Sequence, residues 1–268
     1  MATDKSTAGA AGGAITIQPV GRLAAITRRR WFIALKRRPL AIISMFVLIV
    51  VILTAIFAPW MAPHDPYTAY RGRTLELPSW EFPLGTDHLG RDLLSRIMYG
   101  ARISISVGVL AVTFGTSTGV MLGILTGLQG GKLDLLVQRL IDAWMAFPGL
   151  VLALALVALL GPSLVNVAIA IASGTIPSTT RVVRGAVLAE RERDYASAVT
   201  AIGATRLRLA VKHIFPNVVP PILILATALL GAAILIESSL SFLGLGVPPP
   251  PPTWGGMLSR EGREFMAS

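Results

Sequence analysis

The stretch LAIISMFVLIVVILTAIFA, from Leu40 to Ala58, decides the fold of this chain. It contains no charged residue, and at 1.5 Å per residue a helix of this length crosses about 30 Å of hydrocarbon. A cleaved signal peptide is the alternative, but the run begins late and is followed by Pro59, a residue that disfavours cleavage. We therefore expect a retained membrane anchor over residues 39–60.

The composition agrees with a membrane protein. Of the 268 residues, 53% are hydrophobic and 14% are charged, against roughly 25% charged residues in soluble domains. The net charge of +10 could suggest nucleic acid, but the basic residues gather beside apolar runs, in 5–38 and 181–212. We expect membrane lipid as the surrounding solvent and no nucleic-acid partner. The absence of cysteine excludes disulfides and thiolate metal sites.

Four further apolar runs follow the anchor, and together they predict an all-α polytopic bundle with five spans. These runs cover 103–128, 145–160, 164–183 and 217–242. Because basic loops stay on the cytoplasmic side, the amino terminus and the loop before the fifth span are predicted to be cytoplasmic. We expect a disordered basic cytoplasmic terminus (1–38), the anchor (39–60), an extracytoplasmic loop (61–100) and a core of spans two to five (101–268) with a cytoplasmic loop (184–216).

The second run carries regularly spaced glycines, which predict close helix packing. Small residues at four-residue spacing form a smooth helix face. Packing within this chain is favoured over a pore-lining role, which remains the alternative. After Gly130-Gly131, the three-four spacing of apolar residues over 131–144 predicts an amphipathic helix leading into the third span. The glycines are Gly108, Gly115, Gly119, Gly123 and Gly127.

The cytoplasmic loop is the most informative segment. Residues 181–217 read RVVRGAVLAERERDYASAVTAIGATRLRLAVKHIFPN. Small and apolar residues follow Tyr195 up to the break at Gly203. Beyond it, Leu207, Val211 and Ile214 are expected on one face of a second short helix. Two short helices joined at a glycine predict a compact knob, the name used below for residues 195–216.

The knob resembles the "EAA" coupling loop of ATP-binding-cassette (ABC) importer permeases. Ala198, Gly203 and Pro216 match the family pattern, whereas Ser197 and Val199 replace its usual Glu and second Ala. The resemblance implies that the knob docks into a cleft of a cytoplasmic ATPase. The residues that it assigns to this docking loop are Asp194, Tyr195, Ala198, Val199, Ile202, Gly203, Ala204, Arg208 and Pro216.

Two more segments narrow the resemblance to the second (C-type) membrane subunit of dipeptide, oligopeptide and nickel importers. They are PLGTDHLGRDLLSRIMYGARISISVG (83–108) and ESSLSFLGLGVPPPPPTWGGML (237–258). The resemblance implies a bacterial cytoplasmic membrane, a paired permease, cytoplasmic ATP-binding subunits, an extracytoplasmic solute-binding protein and a peptide substrate. ATP and Mg would be bound by the partner ATPase subunits, and no cofactor is expected in this chain. The family's sixth span is expected to be missing, because the sequence stops in a polar segment, 259–268.

The motif GTDHLGRD, residues 85–92, contains turn and capping residues. Thr86 and Asp87 are expected to cap a helix that starts near Leu89. His88 between two aspartates invites a metal hypothesis, but the loose ligand spacing favours a capped, salt-bridged segment. We expect Arg91 and Asp92 to brace the outer end of the second span. The motif residues are Gly85, Thr86, Asp87, Gly90, Arg91 and Asp92.

Glu237 is the only acid inside a predicted span, and a charge there costs about 2.5–3.5 kcal/mol. We expect Glu237 to take part in structural hydrogen bonding. Lining of the path, contact with the paired permease and a proton relay are the alternatives. The candidate path or interface residues are Glu237, Ser238 and Ser241. The sequence has no Gly-rich phosphate loop, so a non-catalytic subunit is expected. A secondary transporter or channel subunit using Glu237 is the alternative function.

Overall fold

The computed structural model describes residues 39–265 of the chain, with side chains up to residue 259, and these residues form helices and loops without a strand. This confirms the all-α fold. The predicted amino-terminal segment, residues 1–38, lies outside the described residues. The helices are α1 (Pro39–Met61), α2 (Leu93–Gln129), α3 (Gly131–Met145), α4 (Gly149–Leu160), α5 (Leu164–Arg191), α6 (Asp194–Ala201), α7 (Phe215–Phe242) and α8 (Trp254–Phe265).

The helix that contains α7 begins earlier than α7 itself. An α-helical turn, Arg206–Arg208, leads into a π-helix, Leu209–Ile214, and this leads into α7 without a break. The continuous helix Arg206–Phe242 is 37 residues long, which corresponds to about 55 Å at 1.5 Å per residue. The second half of the knob is therefore the amino-terminal end of a helix that is long and apolar enough to span a membrane.

Fewer helices pass a test of length and apolar composition than the five spans predicted. Within residues 39–265, three helices are long and apolar enough to cross a membrane: α1, α2 and Arg206–Phe242. A fourth is counted if α3 and α4, bent by 87° at their junction, form one span. α4 alone has 12 residues and reaches only about 18 Å, so the third span predicted over 145–160 is too short by itself.

α5, predicted as the fourth span, has 28 residues but does not pass the same test. Its position in the bundle explains its polarity. It packs along α2, and many of its residues are buried inside the chain. The hydroxyl groups of Ser173, Thr175 and Thr180 donate to backbone carbonyls of α5 itself at 2.6–2.9 Å. A helix that is covered by its neighbours needs little lipid-facing apolar surface.

The contacts divide the chain into two units, one ending at Val50 and one beginning at Val51. The boundary lies inside α1, an apolar helix with almost no buried residue. The second unit contains the helical bundle. Its packing starts from the glycine face of α2, because a Cβ at Gly119 would stand 2.6 Å from Thr179 of α5 and one at Gly127 would stand 2.7 Å from Val187.

Four of the five glycines, from Gly115 to Gly127, face α5 in this way, whereas Gly108 faces Ile234 of α7. The predicted packing within the chain is confirmed. Two apolar clusters complete the core of the second unit. One joins α2, α4, α5 and α7 and includes Val107, Ala111, Ala153, Val157, Val167, Ile171, Ala233 and Leu240. The other lies under the knob and includes Val183, Val187, Ala196, Leu209, Ile214, Val218 and Ile222.

Candidate functional site

The base of the knob is held by apolar packing. Ala196 of α6 and Ile214 of the π-helix are buried at 2% and 0% exposure. They belong to the cluster that contains Val183 and Val187 of α5 and Val218 of α7. The knob is therefore fixed both to the helix that precedes it and to the helix that follows it.

The knob also carries three strongly exposed apolar side chains, Ile202, Leu207 and Val211, which we name the crown. Their exposed fractions are 84%, 74% and 61%. The chain reverses between them at Gly203, whose φ of +85° favours glycine. Apolar side chains presented on a firmly held turn are suited to contact another protein.

The remaining predicted docking residues divide between the two sides of the knob. Asp194, Ala198, Arg208 and Pro216 are exposed, whereas Tyr195, Val199 and Ala204 are partly buried. One detail of the prediction is wrong. Leu207 and Val211 do not share a face with Ile214, because the wider turn of the π-helix rotates the residues that follow and turns Ile214 into the core.

A hydrogen-bonded network joins the knob to its neighbouring helices. The Tyr195 hydroxyl donates to Oε2 of Glu190, at the end of α5, over 2.8 Å. Arg193 pairs with the other oxygen of Glu190 at 3.0 Å. The amide of Asn217, in α7, donates to the Tyr195 oxygen at 3.3 Å and to the carbonyl of His213 at 2.9 Å. Burial raises the pKa of Tyr195, so its hydroxyl keeps the proton that it donates.

Arginines of α5 extend these connections. Arg191 donates to the carbonyls of Gly127 and Leu128, at the end of α2, at 3.3 and 3.2 Å. Arg184 forms a bidentate pair with Asp134 of α3, with both hydrogen bonds at 2.6 Å, and Arg181 pairs with Asp142. α3 is therefore tied to α5 along its polar side, while Leu135, Leu136 and Leu140 remain exposed.

At the other end of α2, the loop 62–92, predicted to be extracytoplasmic and named the outer loop below, folds around Phe82, which is fully buried. The His64 ring stacks on Phe82 at 4.8 Å between centroids, and Tyr70 meets it edge-on at 5.4 Å. The Arg73 guanidinium lies 4.5 Å from the Phe82 ring centre and pairs with Glu81. This pairing holds the pKa of Glu81 below its ordinary value. The loop is thus an ordered structure with its own aromatic core.

The GTDHLGRD motif organises this loop and starts α2. Asp87 accepts hydrogen bonds from the backbone of Leu89 and Arg91 at 2.8 and 2.9 Å, and from the Arg91 guanidinium at 2.6 Å. Arg96 lies 3.2 Å from the same carboxylate. Thr86 accepts from the Glu76 amide at 2.9 Å and donates to the Arg73 carbonyl.

The predicted helix cap is wrong in its residue. Asp92, and neither Thr86 nor Asp87, caps α2 by accepting from the Ser95 amide at 2.9 Å, and the helix begins at Leu93. Leu89 belongs to the turn that wraps Asp87. Gly85 and Gly90 have φ values of +77° and +76°, and a Cβ at either would collide with a carbonyl oxygen of the loop. The motif therefore forms the predicted tight turns at Gly85 and Gly90, but the residue that caps α2 is Asp92.

Beside this motif lies a cavity of about 180 Å³. The run Pro248–Pro252 forms much of its wall, and His88, Arg91 and Arg96 supply its basic groups. After the prolines, α8 packs against α7 and α2. The Trp254 indole donates to the carbonyl of Ile97 at 3.1 Å. Residues 259–265 of the polar segment noted in the sequence thus belong to a helix.

Glu237 is fully buried within the chain. The Ser241 hydroxyl donates to its Oε1 at 2.8 Å, and Ser104 and Ser238 lie beside the carboxyl group. Oε2 has no hydrogen-bond partner among the described residues within normal bonding geometry. The Ser104 oxygen also accepts from the Trp254 amide at 3.4 Å. The cluster therefore connects α7 with α2 and with the start of α8.

The structure separates the predicted sites into two groups. The knob lies at the amino-terminal end of the Arg206–Phe242 helix, and Glu237 lies about 30 Å beyond Pro216, the last residue of the knob, at 1.5 Å per residue. The GTDHLGRD motif ends at Asp92, which caps α2, and Ser104 of α2 lies beside Glu237. The motif and the Glu237 cluster are therefore connected through α2. Glu190 and Asn217 were missed by the sequence analysis. Asn217 follows directly on the matched Pro216, but the partners of its amide come from tertiary structure.

Comparison with known proteins assigns the class. Residues 119–261 match the model of the family described as binding-protein-dependent transport system inner membrane component. This is more than half of the chain, so the chain belongs to this family. It is a membrane-embedded permease subunit of an ABC importer, with several membrane-crossing helices.

The amino-terminal part narrows the assignment, since residues 28–78 match the N-terminal TM domain of oligopeptide transport permease C. The chain is 43% identical over 222 residues to a di/tripeptide transport system permease protein DppC of Pseudomonas aeruginosa, covering 81% of this chain and 73% of that one. It is 42% identical over 240 residues to a dipeptide transport system permease protein DppC of Alkalihalophilus pseudofirmus, covering 90% and 79%. A glutathione transport system permease protein GsiD of Escherichia coli is 40% identical over 225 residues, covering 84% and 74%. The resemblance to the C-type subunit of this branch is confirmed.

Proposed function

We propose that this chain and a paired permease together form the path by which di- or oligopeptides cross the bacterial cytoplasmic membrane. Cytoplasmic ATPase subunits dock on the knob and drive the transport, and an extracytoplasmic binding protein delivers the peptide. The chain itself is non-catalytic; ATP and Mg are bound by the ATPase subunits. Its amino terminus and its knob lie on the cytoplasmic side, as the basic residues around both suggest.

The architecture of the knob carries this proposal. Its base is buried against α5 and α7, whereas the crown of Ile202, Leu207 and Val211 is exposed. An apolar crown on a rigid base has the form of a surface that another protein covers. Its second half continues into a membrane-spanning helix, so a force on the crown acts directly on the bundle.

The peptide substrate is supported by the relatives, whose names describe di/tripeptide and dipeptide transport. The alternative, a secondary transporter or channel that uses Glu237, is disfavoured by the geometry. An ion-coupling carboxylate in a membrane faces a cavity or the path. Glu237 is instead buried within its own chain beside Ser241.

Replacement of the crown tests the proposal. We expect Ile202→Asp and Leu207→Asp, in the complete transporter, to abolish co-purification of the ATPase subunits and ATP-driven uptake of a labelled dipeptide. Leu77→Asp is the matched control, because Leu77 is equally exposed, at 81%, but lies in the outer loop, away from the knob and from the spans. The thermal stability of the isolated subunit should stay the same in the crown variants. Retained ATPase binding in the two crown variants would contradict the docking role.

A further inference from the structure

The network around Tyr195 connects three segments through one phenolic oxygen. Tyr195 lies in α6, the first helix of the knob. Its hydroxyl donates to Glu190 of α5, and its oxygen accepts from Asn217 of α7. The donor order runs from the Asn217 amide through the Tyr195 hydroxyl to the Glu190 carboxylate. We name these three residues the bracket.

The bracket lies at α6, the part of the knob that has the least buried packing of its own. α6 has only eight residues, and Ala196 is its one buried residue. Its beginning has no side-chain cap. The chain after it passes through an exposed glycine, Gly203, into an exposed turn. A short helix with one small buried side chain can tilt on its base, and directed hydrogen bonds oppose such tilting.

Each end of the bracket is itself fixed. Glu190 is 9% exposed and is also paired with Arg193, and the next residue, Arg191, is bonded to the end of α2. At the other end, the Asn217 amide also donates to the His213 carbonyl within the π-helix. A displacement of α6 is therefore resisted by the inner ends of α2, α5 and α7 together.

We propose that Tyr195, Glu190 and Asn217 are positioning residues that make the knob move as one body with the spans on both sides of it. This proposal rests on the proposed function, since it concerns how movement of a docked ATPase reaches the membrane helices. Without the bracket, α6 tilts on its base and part of the ATPase movement is absorbed in the knob. ATP is then hydrolysed without a full movement of the bundle.

Tyr195→Phe is the sharpest test, because it keeps the ring and removes the shared hydroxyl. In the complete transporter in proteoliposomes, with dipeptide-loaded binding protein, ATP hydrolysis and dipeptide uptake are measured on the same vesicles. We expect the ATPase subunits to remain bound and the dipeptide transported per ATP to fall by about tenfold, the factor that corresponds to one hydrogen bond to a charged group. Tyr99→Phe is the matched control, since Tyr99 lies near the outer end of α2.

Asn217→Leu provides a second variant that removes the other donor. Because both changes break the same bracket, the double variant should lose no more coupling than the single variants. A proportional fall of hydrolysis and uptake, or an unchanged ratio in both variants, would overturn the proposal. The proposal would also be overturned if the losses of coupling in the two single variants added up in the double variant.

Hydrogen exchange of the subunit tests the bracket without any ATPase. The amides of α6 should exchange about tenfold faster in Tyr195→Phe than in the wild type, since the loss of a tie lowers the free energy of local opening. The amides of α2 near Gly119 should be unaffected. Unchanged exchange in α6 would overturn the bracket. Absence of ATP-driven uptake in the wild-type complex would instead refute the proposed function, and with it the coupling role.

Discussion

Replacement of Gly119 by alanine tests the packing on which the bundle is built. A Cβ at this position would stand 2.6 and 2.8 Å from the Cβ and Cγ2 of Thr179, and 3.0 Å from the carbonyl oxygen of Ile176. Ordinary contacts begin at 3.4 Å, so α2 and α5 must separate by about 0.8 Å. The backbone carbonyl cannot rotate away as a flexible side chain could.

The magnitude follows from two opposing terms. Forcing an extra methyl group into a packed contact costs about 1–3 kcal/mol. Alanine recovers about 1 kcal/mol relative to glycine inside a helix. A net loss of up to about 2 kcal/mol in the free energy of unfolding is therefore expected for Gly119→Ala. Gly119→Val should lose more, because its branched side chain meets Thr179 fully.

The assay is the equilibrium unfolding of the detergent-purified subunit, followed by helix content. Gly174→Ala is the control, because Gly174 lies on α5 in the same helix pair and a Cβ there meets nothing within 4 Å. The control should be neutral or more stable by up to about 1 kcal/mol. Equal stability of the Gly119→Ala and Gly174→Ala variants would refute the close approach of α2 and α5.

Three further predictions concern the outer half of the molecule. Asp92→Ala should lower the free energy of unfolding by about 0.5–2 kcal/mol, because it removes the cap of α2. Asp92→Ser should retain most of the stability lost in Asp92→Ala, since serine can also cap a helix. An equal loss of stability in both variants would contradict the capping role. Glu237→Gln should leave assembly and ATP-driven uptake unchanged, since an amide oxygen can also accept from Ser241; a large loss of uptake with normal assembly would show a role in the path. Phe82→Ala should lower the stability of the outer loop by about 3–5 kcal/mol, because the fully buried ring is lost. Tryptic cleavage at Arg71 and Arg73 should then be faster. An unchanged cleavage rate would show that Phe82 is not the core of the loop.

The parts of the fold that depend on composition could be predicted from the sequence. The run from Leu40 to Ala58 lacks charge, so α1 was predictable, and its helix ends within a few residues of the expected boundary. The glycines from Gly115 to Gly127 recur every four residues, which predicted their packing against another helix. The partner helix, α5, was not predictable from that pattern. It is too polar for a lipid-facing span and is explained by its burial.

The parts that depend on tertiary contacts could not be predicted. Several residues in the GTDHLGRD motif can cap a helix, and only the fold of the outer loop decides that Asp92 does so while Asp87 binds the turn and two arginines. The π-helix is equally invisible in the sequence. Ile214 follows Leu207 by seven residues and would share its face in a regular α-helix, but the wider turn moves it into the core.

The softness of the inner part of the Arg206–Phe242 helix explains why the bracket lies where it does. A π-helix has a less favourable backbone geometry than an α-helix, and Leu209–Ile214 is wound in this form. Pro216, Pro220 and Pro221 follow it and supply no amide hydrogen, so each of them removes one backbone hydrogen bond from the next turns of the helix. Such a segment bends more easily than a regular helix. Side-chain bonds from Asn217 and Tyr195 cross this segment and tie it to α5, so they supply the stiffness that its own backbone lacks. This segment leads directly from the crown into α7 and so to the cluster around Glu237. For this reason we expect coupling to depend on the bracket more than the stability of the bundle does.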